Sequence, residues 1–528
     1  MRKKGEHRVI LIVSAFFLMF FGLSLNYFRI SYEREYVETA MENSFVTINA
    51  GDSQGTIYDR NFIPLTNSVS RTVAIVVPSS ADYNELYALA VNKKDFTENY
   101  DKGLPFAFEC TKNGTDSAGV TFFEIPERYN ENIAPHIIGY LSDGKGASGI
   151  EYAYEMLLRS GNMENSVTYS TDGFGHILIG EGKSVIRSTK QRTGVVTTLD
   201  SEVQKICETA GKDIDKGAIV VSDVKNGEIL ALASFPDYDI QDISSALTDE
   251  RSPMINRALY SYSVGSIFKL VTACAGMNSD FSGYMYDCKG SCNVFGQNFS
   301  CHKKDGHGVQ SLTDAMTNSC NPYFISMSSC LDIPKFRNLA FSFGFGREIH
   351  LCTGMISSAG VLPTVDELLV PAELANFSFG QGKLTATPLQ INQMTCAIAN
   401  GGELVMLRLI RGVTVDGETV GNEKSLQKSR IMTSENAKEL RRLMISTIYD
   451  NENANASSKY VLTGAKTSTA QTGRFDENGE ELCNAWVTGF YPANSPKYAI
   501  TVLVEDGGYG NDSAAPVFSK IVDMMMCR

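Results

Sequence analysis

The chain has 528 residues, a formal net charge of −13, and 43% hydrophobic and 20% charged residues. This length allows two or three domains with an ample core. The acidic balance argues against a nucleic-acid-binding protein, which needs a basic face. The sequence carries no glycine-rich nucleotide fingerprint and no helical metal motif, so no cofactor is predicted.

The N-terminal segment predicts a membrane helix. Val9–Phe28 is a 20-residue run without charge, long enough to cross a bilayer core of roughly 30 Å. Basic residues at positions 2, 3, 4 and 8 precede it, so the positive-inside bias predicts a cytoplasmic tail at 1–8 and an extracytoplasmic remainder. A cleaved signal peptide and a buried core helix are alternatives. The length of the run favours an uncleaved, single-pass plasma-membrane helix at 9–28, which Glu33–Met41 could continue.

Residues 29–190 are mixed and polar, with weak periodicity and no recognisable chemistry. Glycines at 139, 144, 146 and 149 indicate loops between short elements. We therefore predict a non-catalytic domain at 29–190 and a catalytic domain at 191–528.

Clear secondary-structure signals begin at about residue 191. Asn226-Gly227 lies between two apolar runs and predicts a β-hairpin. The chain from Ser266 to Ala399 has mostly helical patterns. Strands at both ends of a domain with helices between them indicate an α+β fold, in which an antiparallel sheet adjoins a helical subdomain. The five predicted strands are Ala218–Asp223, Glu228–Ala233, Val461–Thr469, Trp486–Tyr491 and Tyr498–Glu505.

Ser266 and Lys269 are the first candidate catalytic residues. They lie three residues apart at the start of a predicted helix, so they share a face with Cβ atoms roughly 5–6 Å apart. A lysine desolvated by apolar neighbours can take the hydroxyl proton, and a helix N-terminus offers N–H groups to an oxyanion. Ser-x-x-Lys alone is common, so the assignment depends on further motifs.

Two such motifs follow in the chain, Ser319-Cys320-Asn321 and Lys466-Thr467-Ser468-Thr469. Taken separately, the first is compatible with a polar turn and the second with an exposed strand. Penicillin-recognising serine enzymes combine Ser-x-x-Lys, Ser-x-Asn and Lys-Thr-Gly in this chain order. The conjunction of all three favours one serine-based active site.

Twelve cysteines are many for a protein with its bulk outside the cytoplasm. The densest cluster comprises Cys288, Cys292 and Cys301 with His302 and His307. The spacing fits no standard zinc finger, so no metal ligand is predicted and zinc is kept only as an alternative. We expect a disulfide here in an oxidising compartment, with Cys288–Cys301 favoured, and free thiols otherwise.

The whole pattern resembles the class B penicillin-binding proteins, the membrane-anchored peptidoglycan D,D-transpeptidases of bacterial cell-wall synthesis. The resemblance covers nearly the whole chain. It implies a five-stranded antiparallel sheet flanked by helices, a helical subdomain, a pedestal or dimerisation domain at 29–190, and a partner glycosyltransferase. Further segments that carry it are Gly55–Arg60, Gly149–Glu151, Thr197–Asp200, Asn256–Ala258, Phe379–Gly382, Thr387–Gln390 and Ala485–Gly489.

The resemblance also implies a mechanism. Ser266 would attack the penultimate D-alanine of a stem peptide, or a β-lactam, and Lys269 would accept its proton. Ser319 would relay a proton to the departing D-alanine, and the backbone N–H groups of Ser266 and Thr469 would form the oxyanion hole. The implied catalytic residues are Ser266, Lys269, Ser319, Asn321 and Lys466, and the implied substrate-binding residues are Thr467, Ser468 and Thr469.

Ser468 departs from the family pattern, which has glycine at this position. Glycine lets the substrate lie close to the strand, so the Ser468 side chain is expected to narrow the approach. This departure keeps open a β-lactam sensor or a catalytically impaired scaffold. A D,D-carboxypeptidase or β-lactamase on the same scaffold is a separate alternative. The long N-terminal region and the lack of a recognisable deacylating glutamate weaken the hydrolase interpretation. Elongation, division and sporulation roles all fit the sequence.

Overall fold

The computed structural model describes most of the chain. The described residues are 2–32, 44–160, 163–172, 174–179, 182–187, 193–421, 426–451 and 454–528. The predicted helical continuation at Glu33–Met41 and the predicted domain boundary at 190/191 lie outside the described residues, and both stay predictions.

A single helix, Arg2–Tyr32, opens the chain. Its stretch His7–Tyr32 contains a window with a mean hydropathy of 2.3, none of which is buried. By length and composition this stretch is able to cross a membrane. The apolar helix predicted at 9–28 is therefore present, and it fits a single-pass anchor.

The chain divides into two compact units, of which the first comprises 1–54, 69–127 and 161–191. Phe96 is buried among Tyr83, Phe106 and Phe108, so an aromatic cluster forms part of its core. One antiparallel sheet has the order Phe45–Ser53, Met163–Ser170, Ser184–Ile186, and a second has the order Phe106–Cys110, Ser70–Val76, Val120–Pro126. Besides the N-terminal helix, the helical elements among the described residues of this unit are Pro78–Ser80, Tyr83–Leu89 and Lys93–Asp101.

The second unit comprises 55–68, 128–160 and 192–528. Its centre is a five-stranded antiparallel sheet. The strands are β1 Gly217–Asp223, β2 Ile229–Phe235, β3 Gly464–Phe475, β4 Glu481–Tyr491 and β5 Tyr498–Val504. Their order in the sheet is β2-β1-β5-β4-β3. This sheet confirms the α+β prediction, and β3 is an edge strand that begins three residues later than predicted.

Helices cover both faces of this sheet because its strands are apolar on both sides. The helices are α1 Ser201–Gly211, α2 Lys269–Asn278, α3 Asn321–Ser328, α4 Pro388–Ala399, α5 Ser434–Tyr449 and α6 Gly510–Met526. In β1, Ile219 and Val221 contribute to a core shared with α1 and α6, whereas Ala218 and Val220 contribute to a core shared with α2–α5. Every residue of α4 is buried, and the Asn392 Nδ2 donates to backbone carbonyls of β1 and β5.

Shorter elements complete the second unit. A mixed sheet has the order Thr56–Tyr58, Gly194–Thr197, Ile410–Thr414. The two-stranded pairs are Leu141–Ser142 with Lys145–Gly146, Tyr262–Ser263 with Thr385–Ala386, Tyr286–Cys288 with Gly308–Gln310, Ser291–Val294 with Gln297–Ser300, His350–Cys352 with Met355–Ile356, and Glu403–Val405 with Lys428–Arg430. The short helices are Pro135–Ile138, Gly149–Ala153, Glu155–Ser160, Ile243–Thr248, Arg257–Leu259, Gly265–Phe268, Leu312–Thr317, Ile333–Ser342, Val365–Leu368 and Pro371–Ser378.

Glu228 joins the mixed sheet to the start of β2. Its carboxylate is 4% exposed and lies 2.8 Å from a guanidinium nitrogen of Arg60 and 2.8 Å from one of Arg408. Removing one partner of a buried ion pair leaves the remaining charge uncompensated. We expect Glu228→Ala to lower the free energy of unfolding by about 3 kcal/mol in urea titrations. Glu202→Ala, which breaks an exposed pair with Arg528, should cost less than about 1 kcal/mol. Equal losses in both variants would contradict this prediction.

Candidate active site

Ser266 lies in a single 3-10 turn, Gly265–Phe268, directly before α2. The α-helix itself begins at Lys269, three residues later than the sequence pattern predicts. Gly265 has a φ of +63°, and a Cβ at this position would come within 2.4 Å of the Ser468 Oγ. Glycine is therefore required here, and it brings the segment with Ser266 close against β3.

Lys269 is fully buried and lies at the centre of the site. Its Nζ is 3.0 Å from the Ser266 Oγ, 2.7 Å from the Ser319 carbonyl oxygen, 3.0 Å from the Ser319 Oγ and 2.7 Å from the Asn321 Oδ1. Two of these oxygens, the Ser319 carbonyl oxygen and the Asn321 Oδ1, can only accept, and a neutral amine has two N–H donors for them and a lone pair for one hydroxyl proton. The contacts therefore suit a neutral amine that accepts a hydroxyl proton.

Burial, followed by the charge of Lys466, lowers the pKa of Lys269 well below its usual value. Burial also lowers the pKa of Lys466, to about 8. Both shifts follow from the removal of ammonium groups from water. At neutral pH the site can thus hold one neutral amine beside one ammonium.

Ser319 lies between Ser266 of the first motif and Lys466 of the third and contacts both. Its hydroxyl donates to the Ser266 Oγ at 3.0 Å and accepts from the Lys466 Nζ at 3.3 Å. Ser319 has a φ of +49°, a left-handed conformation that is strained for serine and that clusters at functional sites. Backbone hydrogen bonds from Ser319 to Met316 and from Cys320 to Ala315 hold this turn.

The third motif lies on β3, with Lys466 paired to Thr488 of β4. Alternation along the strand directs Lys466 and Ser468 to one face and Thr467 and Thr469 to the other. Lys466 and Ser468 are buried, whereas Thr467 and Thr469 are half-buried. The structure thus brings Ser266, Lys269, Ser319, Asn321 and Lys466 together, while Thr467 and Thr469 lie along the edge strand beside them.

The expectation that Ser468 narrows the substrate approach is wrong. Its side chain is 3% exposed and its hydroxyl donates to the Val264 carbonyl oxygen at 2.8 Å. The residue lies on the strand face that contacts the segment before Ser266. Ser468 therefore ties β3 to that segment.

We expect Ser468→Ala to lower the free energy of unfolding by about 1 kcal/mol, because the buried Val264 carbonyl loses its donor. Penicillin acylation should slow in the same variant, because the bond lies two residues from Ser266. Urea unfolding and stopped-flow acylation measure these effects. Faster acylation in Ser468→Gly would show that the side chain does obstruct the substrate.

Sequence reasoning missed the supports of the segment that precedes Ser266. Tyr262 donates its hydroxyl proton to Glu505 at 2.6 Å, and Arg257 lies 3.0 Å from the same carboxylate. The Trp486 indole N–H donates to the Ser263 carbonyl oxygen at 3.0 Å. Arg257 and Trp486 lie in segments that carry the family resemblance, and only that resemblance could have indicated their importance.

The favoured Cys288–Cys301 disulfide is not formed, because both residues are free thiols. Their Sγ atoms instead lie close to a ring nitrogen of His307 and to the Cys320 Sγ. Cys292 and His302 belong to the sequence cluster but not to this group. Cys320 is the member that lies within the second motif.

Comparison with known proteins agrees with the site. Residues 217–523 match the family described as the penicillin binding protein transpeptidase domain. Stage V sporulation protein D of Bacillus subtilis is 28% identical over 89% of this chain and 77% of its own length. Peptidoglycan D,D-transpeptidase MrdA of Acinetobacter baumannii is 29% identical over 71% of this chain and 60% of its own length.

A solved structure shares the fold. The ceftriaxone acyl-enzyme complex of penicillin-binding protein A from M. tuberculosis has a TM-score of 0.64 and 22% identity, and it covers 76% of this chain and 93% of that one. The matched family spans more than half of the chain. The chain therefore belongs to the penicillin-binding protein transpeptidase family.

Proposed function

We propose that this protein is a peptidoglycan D,D-transpeptidase that crosslinks stem peptides through a serine acyl-enzyme and is acylated by β-lactams. The observation that carries the proposal is the 3.0 Å contact between the Ser266 Oγ and a fully buried Lys269 amine. The relative from Acinetobacter baumannii is named a peptidoglycan D,D-transpeptidase, and the related structure from M. tuberculosis is an acyl-enzyme.

In acylation, the Ser266 Oγ bonds to the carbonyl carbon of the penultimate D-alanine. Its proton passes to the neutral Lys269 amine. The C–N bond to the terminal D-alanine breaks, and the leaving amine takes a proton through the Ser319 hydroxyl. An amine from a second stem peptide then attacks the ester, which forms the crosslink and releases Ser266.

Charge and backbone polarity stabilise this step. Lys466 supplies positive potential for the terminal carboxylate, with Thr467 and Thr469 as hydrogen-bonding partners, and Asn321 donates to the substrate amide oxygen. The backbone N–H groups of Ser266 and Thr469 receive the oxyanion. Losing one such donor typically costs roughly 3–4 kcal/mol of transition-state stabilisation.

Labelling with a fluorescent penicillin, followed by an assay of crosslinking against D-alanine release, tests the activity. A transpeptidase is labelled and forms crosslinks. D-alanine release without crosslinks would identify a carboxypeptidase, and rapid loss of the label would identify a β-lactamase. Stable label with neither product would identify a sensor or an impaired scaffold.

The acylation rate should depend on pH through the two lysines. Lys269 must be neutral, so the second-order rate constant rises as pH rises through its lowered pKa. Lys466 must be charged, so the rate constant falls above pH about 8, the pKa to which burial lowers this group. Lys466→Arg should keep the rising limb and lose the falling one, because arginine stays protonated. A wild-type profile that stays flat between about pH 8 and 10 would contradict the role of Lys466.

We also propose an orientation in the membrane and a protein partner. The basic tail at 1–8 orients the N-terminus to the cytoplasm. The parts of 29–190 that belong to the first unit form a pedestal, and the second unit, with residues 55–68 and 128–160, forms the extracytoplasmic catalytic domain. A glycosyltransferase of the wall-synthesis complex is the proposed protein partner. Protease added outside spheroplasts should degrade the catalytic domain, and full protection of that domain would refute this orientation.

A further inference from the structure

Three thiols and one imidazole converge beside the second motif. Cys288, Cys301, His307 and Cys320 each offer one ligand atom, and these atoms all lie within 4.8 Å of one another. The three cysteines are buried free thiols and His307 is half-buried. We call these four residues the thiol–imidazole cluster. None of them takes part in the acylation mechanism.

The cluster has the donors of a tetrahedral zinc site, and one pair of its ligand atoms has the matching separation. With Zn–S bonds of about 2.3 Å and Zn–N bonds of about 2.0 Å, tetrahedral ligand atoms are about 3.5–3.8 Å apart. The Cys301 Sγ and the His307 Nδ1 are 3.5 Å apart. A set of three cysteines and one histidine is a common structural zinc site, and soft thiolates disfavour magnesium and calcium.

Backbone contacts already hold the ligands in place. Cys288 pairs with Gly308 across a two-stranded ladder, which brings it near His307. The Cys301 N–H donates to the Gly290 carbonyl oxygen at 2.8 Å. Gly290 has a φ of +89°, and a Cβ there would come within 1.8 Å of a backbone oxygen. The loop is thus closed by its own backbone around the cluster.

One ion accounts for the cluster better than a disulfide does. A disulfide joins two sulfur atoms at about 2.05 Å and would leave the third buried thiol and the imidazole unused. A single metal ion uses all four donors at once. Four protein ligands also leave no open coordination position, so such an ion is structural and binds no substrate.

We propose that the thiol–imidazole cluster binds one Zn²⁺ ion, which fixes the turn that carries Ser319 and Asn321. Cys320 stands between these two residues, both of which contact the Lys269 Nζ. Ser319 has a strained left-handed backbone. A bond from the ion to the Cys320 Sγ would offset that strain and hold both side chains against Lys269, so Cys320 is a positioning residue.

Metal content tests the site without reference to activity. The full-length protein, purified in detergent without added metal, should contain one zinc per chain by atomic emission. His307→Ala should lose the zinc. His302→Ala is the matched control, because His302 is an exposed neighbour whose Nδ1 lies 3.9 Å from the Cys301 Sγ, and it should keep the zinc. Iron in place of zinc, no metal, or loss in His302→Ala with retention in His307→Ala would overturn the site.

The positioning role rests on the proposed function and has its own readout. Chelation of wild-type protein should slow penicillin acylation by about 10²-fold, the effect of a misplaced catalytic group, and added zinc should restore the rate. Cys292→Ser removes a thiol outside the cluster, so this variant should bind zinc and be acylated as the wild type is. Zinc-free protein that acylates at the wild-type rate would overturn the positioning role. A failure of crosslinking alone would instead count against the proposed function.

Discussion

Ser266→Ala is expected to abolish covalent labelling by penicillin. The Ser266 Oγ combines a buried amine at 3.0 Å with a donated hydrogen bond from Ser319, so it is the activated nucleophile. Mass spectrometry of digested, penicillin-treated wild-type protein should locate the adduct on the peptide that contains Ser266.

Another of the chain's Ser-x-x-Lys tetrads, Ser425–Lys428, supplies the control for this experiment. Ser425→Ala should be labelled as fully as the wild type, because the motif alone does not make a nucleophile. An adduct on Ser319 or Ser425, with Ser266 unmodified, would refute the assignment.

Lys269→Ala should slow acylation by about 10²- to 10⁴-fold, the range expected for loss of a general base. The variant removes the amine that contacts the Ser266 Oγ and the Asn321 Oδ1. Stopped-flow acylation with excess β-lactam measures the effect. Circular dichroism should show that the fold persists.

Lys269→Arg distinguishes loss of the base from loss of the charge. A guanidinium stays protonated and cannot accept a proton, so this variant should be impaired to a similar degree. Lys466→Arg should retain far more activity, because that position needs only positive charge. Near-normal acylation of Lys269→Arg at neutral pH would assign the base to another residue.

The sequence predicted the elements that local patterns determine. Asn226-Gly227 between apolar runs located the β1–β2 hairpin, and the long uncharged run located the N-terminal helix. The three motifs located the residues that converge around Lys269, because their order reflects a shared chemistry. Local periodicity therefore predicted the hairpin and the N-terminal helix, and the chemistry of the motifs predicted which residues converge around Lys269.

Features that depend on distant contacts were not predictable. The direction of Ser468 depends on a carbonyl group 204 residues away, and periodicity carries no such information. The left-handed turn at Ser319 lacks a glycine that would have signalled it. Cys320 lies outside the dense run Cys288–His307, and no local spacing indicates that its thiol joins the other three ligands.

Residues 55–68 and 128–160 belong to the second unit although they precede the catalytic region in the sequence. Thr56–Tyr58 is a parallel partner of Gly194–Thr197, and Ile57 and Val195 are both fully buried. Within the same unit, Arg128 forms a 2.7 Å ion pair with Glu151. A shortened protein beginning at residue 192 would keep the whole family match but expose Val195 and an unpaired strand edge. A chimaera that takes only residues 192–528 from a relative is therefore expected to lose these contacts, so the smallest unit to exchange includes residues 55–68 and 128–160 and is larger than the family match.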